Sequence, residues 1–223
     1  MKEIVLDTET TGLSVKEGHR IVEIGCVEID NLIPTQKKFH CYLNPERKVS
    51  EKALEIHGYT DEFLSDKKKF KEIAKEFLEF INGKKIIIHN AEFDLSHLNN
   101  ELSSIGEKNI LKENTIDTLE LARNKYPGSA ISLDALCKRY RIDNSKRKKH
   151  SALVDCELLT KVYINLIDQK EPKLNLDSQE SNIYKDNSFK INKYSKNVIL
   201  PSKEEIQLHK DFIKENLKKN YFN

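Results

Sequence analysis

Asp7 and Glu9 stand two residues apart at the end of a short apolar run, Ile4-Val5-Leu6. In a β-strand successive side chains alternate faces, so this spacing puts both carboxylates on one side. Held that close they repel each other, and a cation between them relieves the repulsion. Hard divalent ions such as Mg²⁺ and Mn²⁺ prefer carboxylate oxygens. A surface strand end with two solvated acids has the same local sequence, so the pair alone does not decide.

Further acids and an imidazole recur where elements end. Asp94 follows Phe93 where a helical stretch opens after an apolar run, and ligand sites collect at such places in α/β sheets. An acid in a first helical turn also simply suits the helix dipole. His150 and Asp155 are five residues apart in HSALVD. On one helix that separates them by about 140°. Both face one site only if His150 lies in the loop before the helix, which the basic run at 146–149 and the cap position Ser151 permit.

The elements that must place these groups follow from pattern. The stretch EIVLDTETTGL (3–13) opens with a strand followed by a turn at Thr10-Thr11-Gly12, and residues 20–29 (RIVEIGCVEI) and 38–43 (KFHCYL) read as two further strands joined by a polar loop containing Pro34. Short links make them an antiparallel meander. Gly12 permits backbone geometry or close ligand approach that a side chain would obstruct. Ser50 caps a short helix through Ile56 that ends at His57-Gly58, and residues 70–81 carry apolar groups at helical spacing. Residues 85–89 (KIIIH) form a short, fully apolar strand running into a helix at 92–104. A strand at 115–117, then helices at 119–125, 132–140 and 152–167, complete the pattern. The fold class is α/β, a mixed sheet with an antiparallel meander followed by parallel strands, flanked by helices.

At 223 residues the chain accommodates one domain of ~150–200 residues and an appendage. Charged residues make up 33% but the net charge is only +2, so no global field predicts nucleic-acid binding and any basic site must be local. Cys26, Cys41, Cys137 and Cys156 form no CxxC pair and read as reduced, buried thiols of a reducing compartment. No apolar run approaches ~18 residues, and the start MKEIVLDTE has an acid where a signal peptide would continue its apolar region. The expectation is a cytoplasmic, non-exported protein.

The strings VLDTETTG, HNAEFD and HSALVD, in that order, resemble the three motifs of the DEDDh 3′–5′ exonucleases. EGHRIVEIG, HGYTDEFL, SLDALCKRY and IDNSKR extend the likeness to the proofreading branch that serves bacterial DNA polymerase III. The resemblance covers residues 1–168 and implies a ribonuclease-H-like fold. It implies that Asp7, Glu9, Asp94 and Asp155 hold two divalent ions, Mg²⁺ or Mn²⁺, for phosphodiester hydrolysis, with His150 as general base. It also implies that Thr10, Thr11, Gly12, Leu13, His57 and Phe93 contact the terminal nucleotide. The basic residues at 146–149, just before His150, would attract the incoming strand.

Residues 169–196 turn to Ser, Asn, Lys and Asp with sparse apolar groups and read as a linker, flexible in isolation. Within it, Glu171 to Leu176 has the spacing of a sliding-clamp-binding peptide, with Glu171 where Gln is usual. In 197–223, residues 197–200 (NVIL) read as a strand, and Ser202 to Glu205 is a capping box opening a final helix to about Lys219. The resemblance makes this segment the dock for the catalytic (alpha) subunit of the polymerase. The implied function is removal of mismatched nucleotides from a DNA 3′ end. Other readings are a stand-alone DEDDh exonuclease acting on RNA or small oligonucleotides, and a catalytically silent bridging subunit, which the intact acid set disfavours.

Overall fold

The computed structural model describes residues 2–145, 147, 149–167 and 201–216. The chain divides into two units, 1–174 and 175–223. In the first, β1 (Lys2–Thr10), β2 (Ile21–Asp30) and β3 (Ile33–Tyr42) form the antiparallel meander. They are followed by α1 (Glu51–His57), α2 (Asp61–Ser65) and α3 (Phe70–Ile81). Then β4 (Lys85–Ile88) leads into α4 (Ala91–Ser104), and β5 (Thr115–Asp117) into α5 (Thr118–Lys125). Two further helices, α6 (Leu133–Tyr140) and α7 (Ala152–Leu166), close the unit.

The sheet order is β3-β2-β1-β4-β5, with β4 parallel to both β1 and β5. The expected mixed sheet is therefore present. Its two faces are covered differently. Ile4 and Leu6 of β1 and Ile24 and Cys26 of β2 pack with Phe77 of α3 and Leu98 and Leu102 of α4. Val5 of β1 and Val27 and Ile29 of β2 pack with Ala122 of α5, Leu136 of α6 and Cys156, Leu159 and Val162 of α7. Burying one such aliphatic or aromatic side chain stabilises the fold by about 1.5–3 kcal/mol. The period-2 alternation of β1 thus sends Asp7 and Glu9 along the α7 face and Thr8 along the α4 face.

Local signals fix most helix ends. The hydroxyls of Ser50 and Ser132 accept from the backbone N–H of Ala53 and Ala135, and Gly58 closes α1 at φ +81°. The bounds of two strands differ from expectation, and α2 lies in a stretch for which no helix is expected. The strand expected to begin at Lys38 begins at Ile33, so Pro34 lies in it rather than in a loop. Asn31 and Leu32, at φ 48° and 67°, form the two-residue turn joining β2 to β3. Pro34 is tolerated because β3 is an edge strand and the β2–β3 register shifts between Val27 and Ile29. The turn after β1 starts beyond Thr10, which still pairs with Ile21 after a bulge.

All four cysteines are free thiols, and among the described residues no helix is long and apolar enough to cross a membrane. In the second unit α8 (Lys203–Asn216) has its capping box: Ser202 Oγ accepts from Glu205 N–H at 3.2 Å, and Glu205 Oε2 accepts from Ser202 N–H at 2.7 Å. The expected linker at 169–196, the clamp-type peptide Glu171 to Leu176 and the strand at 197–200 lie outside the described residues.

Candidate active site

Asp7, Glu9, Asp94, His150 and Asp155 line one cavity of about 340 Å³. Its floor is the C-terminal end of β1, where Asp7 faces Gly25 and Glu9 faces Glu23 across the β1–β2 ladder. Asp94 enters from the first turn of α4 and is tied to β1 by Thr8, whose hydroxyl donates to Asp94 Oδ1 at 2.7 Å. Asp155 stands in the first turn of α7. His150 lies in the loop before that helix, as its spacing from Asp155 demanded, and its backbone N–H donates to Ile56 C=O. The ligand atoms of Glu9, His150 and Asp155 all lie within 4.8 Å of one another.

A second cavity, of about 410 Å³, adjoins this one. Thr10, Gly12, Leu13, His57 and Phe93 line it, and Phe93, with Thr8 and Glu9, borders both. Leu13 stands 79% exposed at its rim. Thr11 is placed differently: it is fully buried, and its Oγ1 pairs with His19 Nδ1 and accepts from Arg20 N–H. It supports the lip from beneath. Gly12 has a packing reason as well, since a Cβ there would come within 2.4–2.6 Å of the His19 ring.

Residues 4–163 match the family model described as Exonuclease. A DNA polymerase III subunit epsilon of Rickettsia conorii (strain ATCC VR-613 / Malish 7) is 47% identical over 227 residues, 99% of each chain. The chain belongs to the exonuclease family, among its DNA polymerase III epsilon subunits. Among solved structures, Exonuclease X in complex with 5′ overhanging duplex DNA is 25% identical, with a TM-score of 0.60, over 75% of this chain and 92% of that one. The nuclease domain of 3′hExo, described as a DEDDh family member bound to rAMP, shares the fold at 17% identity, with a TM-score of 0.65 over 76% and 92% of the two chains.

In this epsilon-family chain the acids crowd one another strongly. Burial, with Asp155, Glu23 and Asp94 nearby, pushes the Glu9 carboxyl up to about 8. Asp94 rises to about 7, mainly from burial, against the pull of the Thr8 hydrogen bond. Asp7 is raised well above the usual range by burial and by Asp94, Glu9 and Asp155 around it. Such shifts mark an excess of negative charge that a bound cation would relieve.

Arg147 supplies one cation, a role that four basic residues in a row did not single out. Its Nε donates to Asp155 Oδ1 at 2.6 Å and its Nη2 to Asp155 Oδ2 at 2.7 Å, while Nη1 reaches Asp134 at 2.6 Å. Nη2 also lies 3.0 Å from His150 Nδ1. Lys149 instead donates to Glu55 C=O, and Lys146 and Lys148 lie outside the described residues. Asp117 was also missed. Its carboxylate accepts from the N–H groups of Asn90, Ala91 and Leu119, fastening the start of α4 to that of α5. An acid directly before a helix is the sequence signal for such a cap.

Proposed function

We propose that this chain is the proofreading 3′–5′ exonuclease subunit of a replicative DNA polymerase, hydrolysing mismatched 3′-terminal nucleotides from DNA in the cavity bounded by Asp7, Glu9, Asp94, His150 and Asp155. One observation carries the reading. Side chains from β1, α4, α7 and the loop before α7, remote in sequence, converge on one cavity in a chain of the epsilon family. A solvated strand end does not account for that convergence.

Asp7, Glu9, Asp94 and Asp155 would hold two divalent ions, Mg²⁺ or Mn²⁺. The fit rests on their donor set, all oxygen, and on the raised carboxyls of Glu9 and Asp94. Bound ions supply an activated water and neutralise charge on the leaving 3′ oxygen. His150 accepts the proton of the attacking water. Burial and the Arg147 guanidinium hold its imidazole below the ordinary histidine value, so it is neutral and able to accept near pH 7.

The adjoining cavity takes the terminal nucleotide. Phe93 offers a π-face to any base, a contact worth ~1–3 kcal/mol, and Leu13 at the rim wedges against the neighbouring base. His57 forms the far wall, with Thr10 and Gly12 along the lip and Thr11 holding it from below. Selectivity comes from the substrate, because a frayed, mispaired end costs less to unstack and reach the cavity.

The exonuclease domain is assigned to residues 1–168, the linker to 169–196 and the dock for the catalytic (alpha) subunit to 197–223. Helix α8 supports this last assignment: it exposes Ile206 and Leu208, 42% and 70% accessible. Glu171 to Leu176 adds a contact with the sliding clamp, whose modest affinity gains from tethering. The compartment is the bacterial cytoplasm. The test is a primer with a mispaired 3′ end beside a matched one, with Mg²⁺ or with EDTA. The reading expects faster release of mononucleotides from the mispaired primer, only with metal. Equal release from both ends, or release in EDTA, contradicts it.

A further inference from the structure

Glu23 is fully buried near the start of β2, and an isolated carboxylate there would be costly. It is not isolated. Its Oε1 lies 2.7 Å from His40 Nε2 and accepts from Ser151 Oγ at 3.0 Å, while Oε2 accepts from Tyr59 O–H at 2.8 Å and from the backbone N–H of Ala152 at 2.9 Å. Four donors from β3, from the segment after α1 and from the start of α7 thus end on one side chain.

The partners at α7 give this arrangement its meaning. Ser151 occupies the N-cap position of α7, yet its hydroxyl makes no cap bond within the helix. The orphan N–H at the helix start is satisfied from outside, by the Glu23 carboxylate. Negative charge at that end also suits the helix dipole. Two residues further along the same face of β2, Gly25 lets the backbones meet, since a Cβ there would fall 2.5–2.7 Å from backbone atoms of Ala152 and Leu153. The Cys156 thiol adds a contact to Gly25 C=O at 3.2 Å. The first turn of α7 is therefore seated on β2 at one place, and Glu23 is its polar anchor.

That turn carries Asp155, and His150 is the residue before Ser151. Tyr59, which shares the same carboxylate, stacks on the His57 ring at 4.9 Å, and its backbone N–H donates to His57 Nδ1 at 3.0 Å. We infer that Glu23 is a positioning residue for hydrolysis: its buried carboxylate sets where His150 and Asp155 stand and, through Tyr59, steadies the His57 wall, without touching substrate. The hydrogen bonds hold the Glu23 carboxyl below its ordinary value despite burial, as an anchor that stays charged requires.

The inference rests on His150 acting as the base, so its test needs a readout independent of catalysis. Glu23→Gln keeps the volume but removes the charge. In the full-length chain we expect faster amide hydrogen exchange at 150–156 and around Tyr59, with the rest of the chain unchanged. We also expect a kcat loss on the order of 10- to 100-fold, as small misplacements of a catalytic group produce, with KM for single-stranded DNA within about twofold. Combined with His150→Ala, Glu23→Gln costs less than it does alone, because one of the groups it positions is gone. Unchanged exchange at 150–156, or an equal loss in both backgrounds, overturns the inference. If Glu23→Gln does not fold, Ser151→Ala removes one of the four donors and is expected to raise exchange over the same residues, and unaltered exchange there overturns the inference equally. A wild-type chain without nuclease activity would sink the proposed function, while the exchange result would still report on the anchor.

Discussion

Arg147 holds Asp155 by two parallel hydrogen bonds, Nε to Oδ1 at 2.6 Å and Nη2 to Oδ2 at 2.7 Å, in a cavity otherwise dominated by carboxylates. Both oxygens that Asp155 would offer a metal are engaged by a guanidinium, in the bidentate geometry that makes such pairs strong. The same guanidinium sits beside the His150 ring. One residue thus couples the charge of the acid cluster to the basicity of the imidazole.

Arg147→Gln should therefore raise the His150 pKa. The arginine now lowers it and Asp155 raises it, so removing the cation shifts the balance toward the imidazolium. Following the ring proton shifts of His150 against pH in metal-free protein checks this. A pKa unchanged or lowered in the variant would show that Arg147 does not act on His150.

Metal-free protein should become more stable as pH falls. Glu9 and Asp94 have folded-state values of about 8 and about 7, above their ordinary values of 4.5 and 3.8. Between the ordinary and the raised values the folded state binds more protons than the unfolded one, so stability declines as pH rises through that window. In EDTA, Tm should climb between pH 8.5 and pH 6, and saturating Mg²⁺ should flatten or reverse the trend. A Tm in EDTA that falls on acidification over this range would contradict the shifts.

Thr8→Val tests the strut between β1 and α4. The hydroxyl that donates to Asp94 at 2.7 Å is lost, leaving a buried carboxylate short of a donor, a cost of about 1–3 kcal/mol. Because that bond pulls the Asp94 pKa down, its loss should raise the value and weaken Mg²⁺ binding near pH 7. Calorimetric titration of Mg²⁺ measures the change, and undiminished affinity would remove Thr8 from the account.

Gly12→Ala should damage nucleotide binding more than folding. The added methyl meets the His19 ring, so the lip must shift where it borders the nucleotide cavity. The expected outcome is a raised KM for single-stranded DNA with Tm nearly unchanged, and partial recovery when His19→Ala is added. Failure of the second substitution to recover KM would mean that the ring is not the obstacle.

Much of this architecture could be read from residues alone, for identifiable reasons. Ser50, Ser132 and Gly58 are strong local punctuation, and the helix bounds they announce hold to within a residue or two. Asp7, Glu9, Asp94, His150 and Asp155 were legible because each sits where a strand or helix begins or ends. The start of β3 was not, because a turn built on Leu32 at φ 67° lacks the usual glycine. Helix α2 spans only Asp61–Ser65, too short for an apolar period to register. The partners of Arg147 and Glu23 were also illegible. Arg147 meets Asp134 through the path of a loop, and Glu23 meets Ser151 across 128 positions of chain, and no local pattern encodes either meeting.

The most direct test of the central claim is a single-turnover assay with Mg²⁺ on a 3′-mispaired primer, comparing the wild-type chain with Asp7→Ala. Asp7 lies among Glu9, Asp94 and Asp155 in the cavity, so its loss should cut the rate by several orders of magnitude while DNA binding and Tm hold. Mononucleotide release by Asp7→Ala at a rate near wild type would contradict the two-metal account.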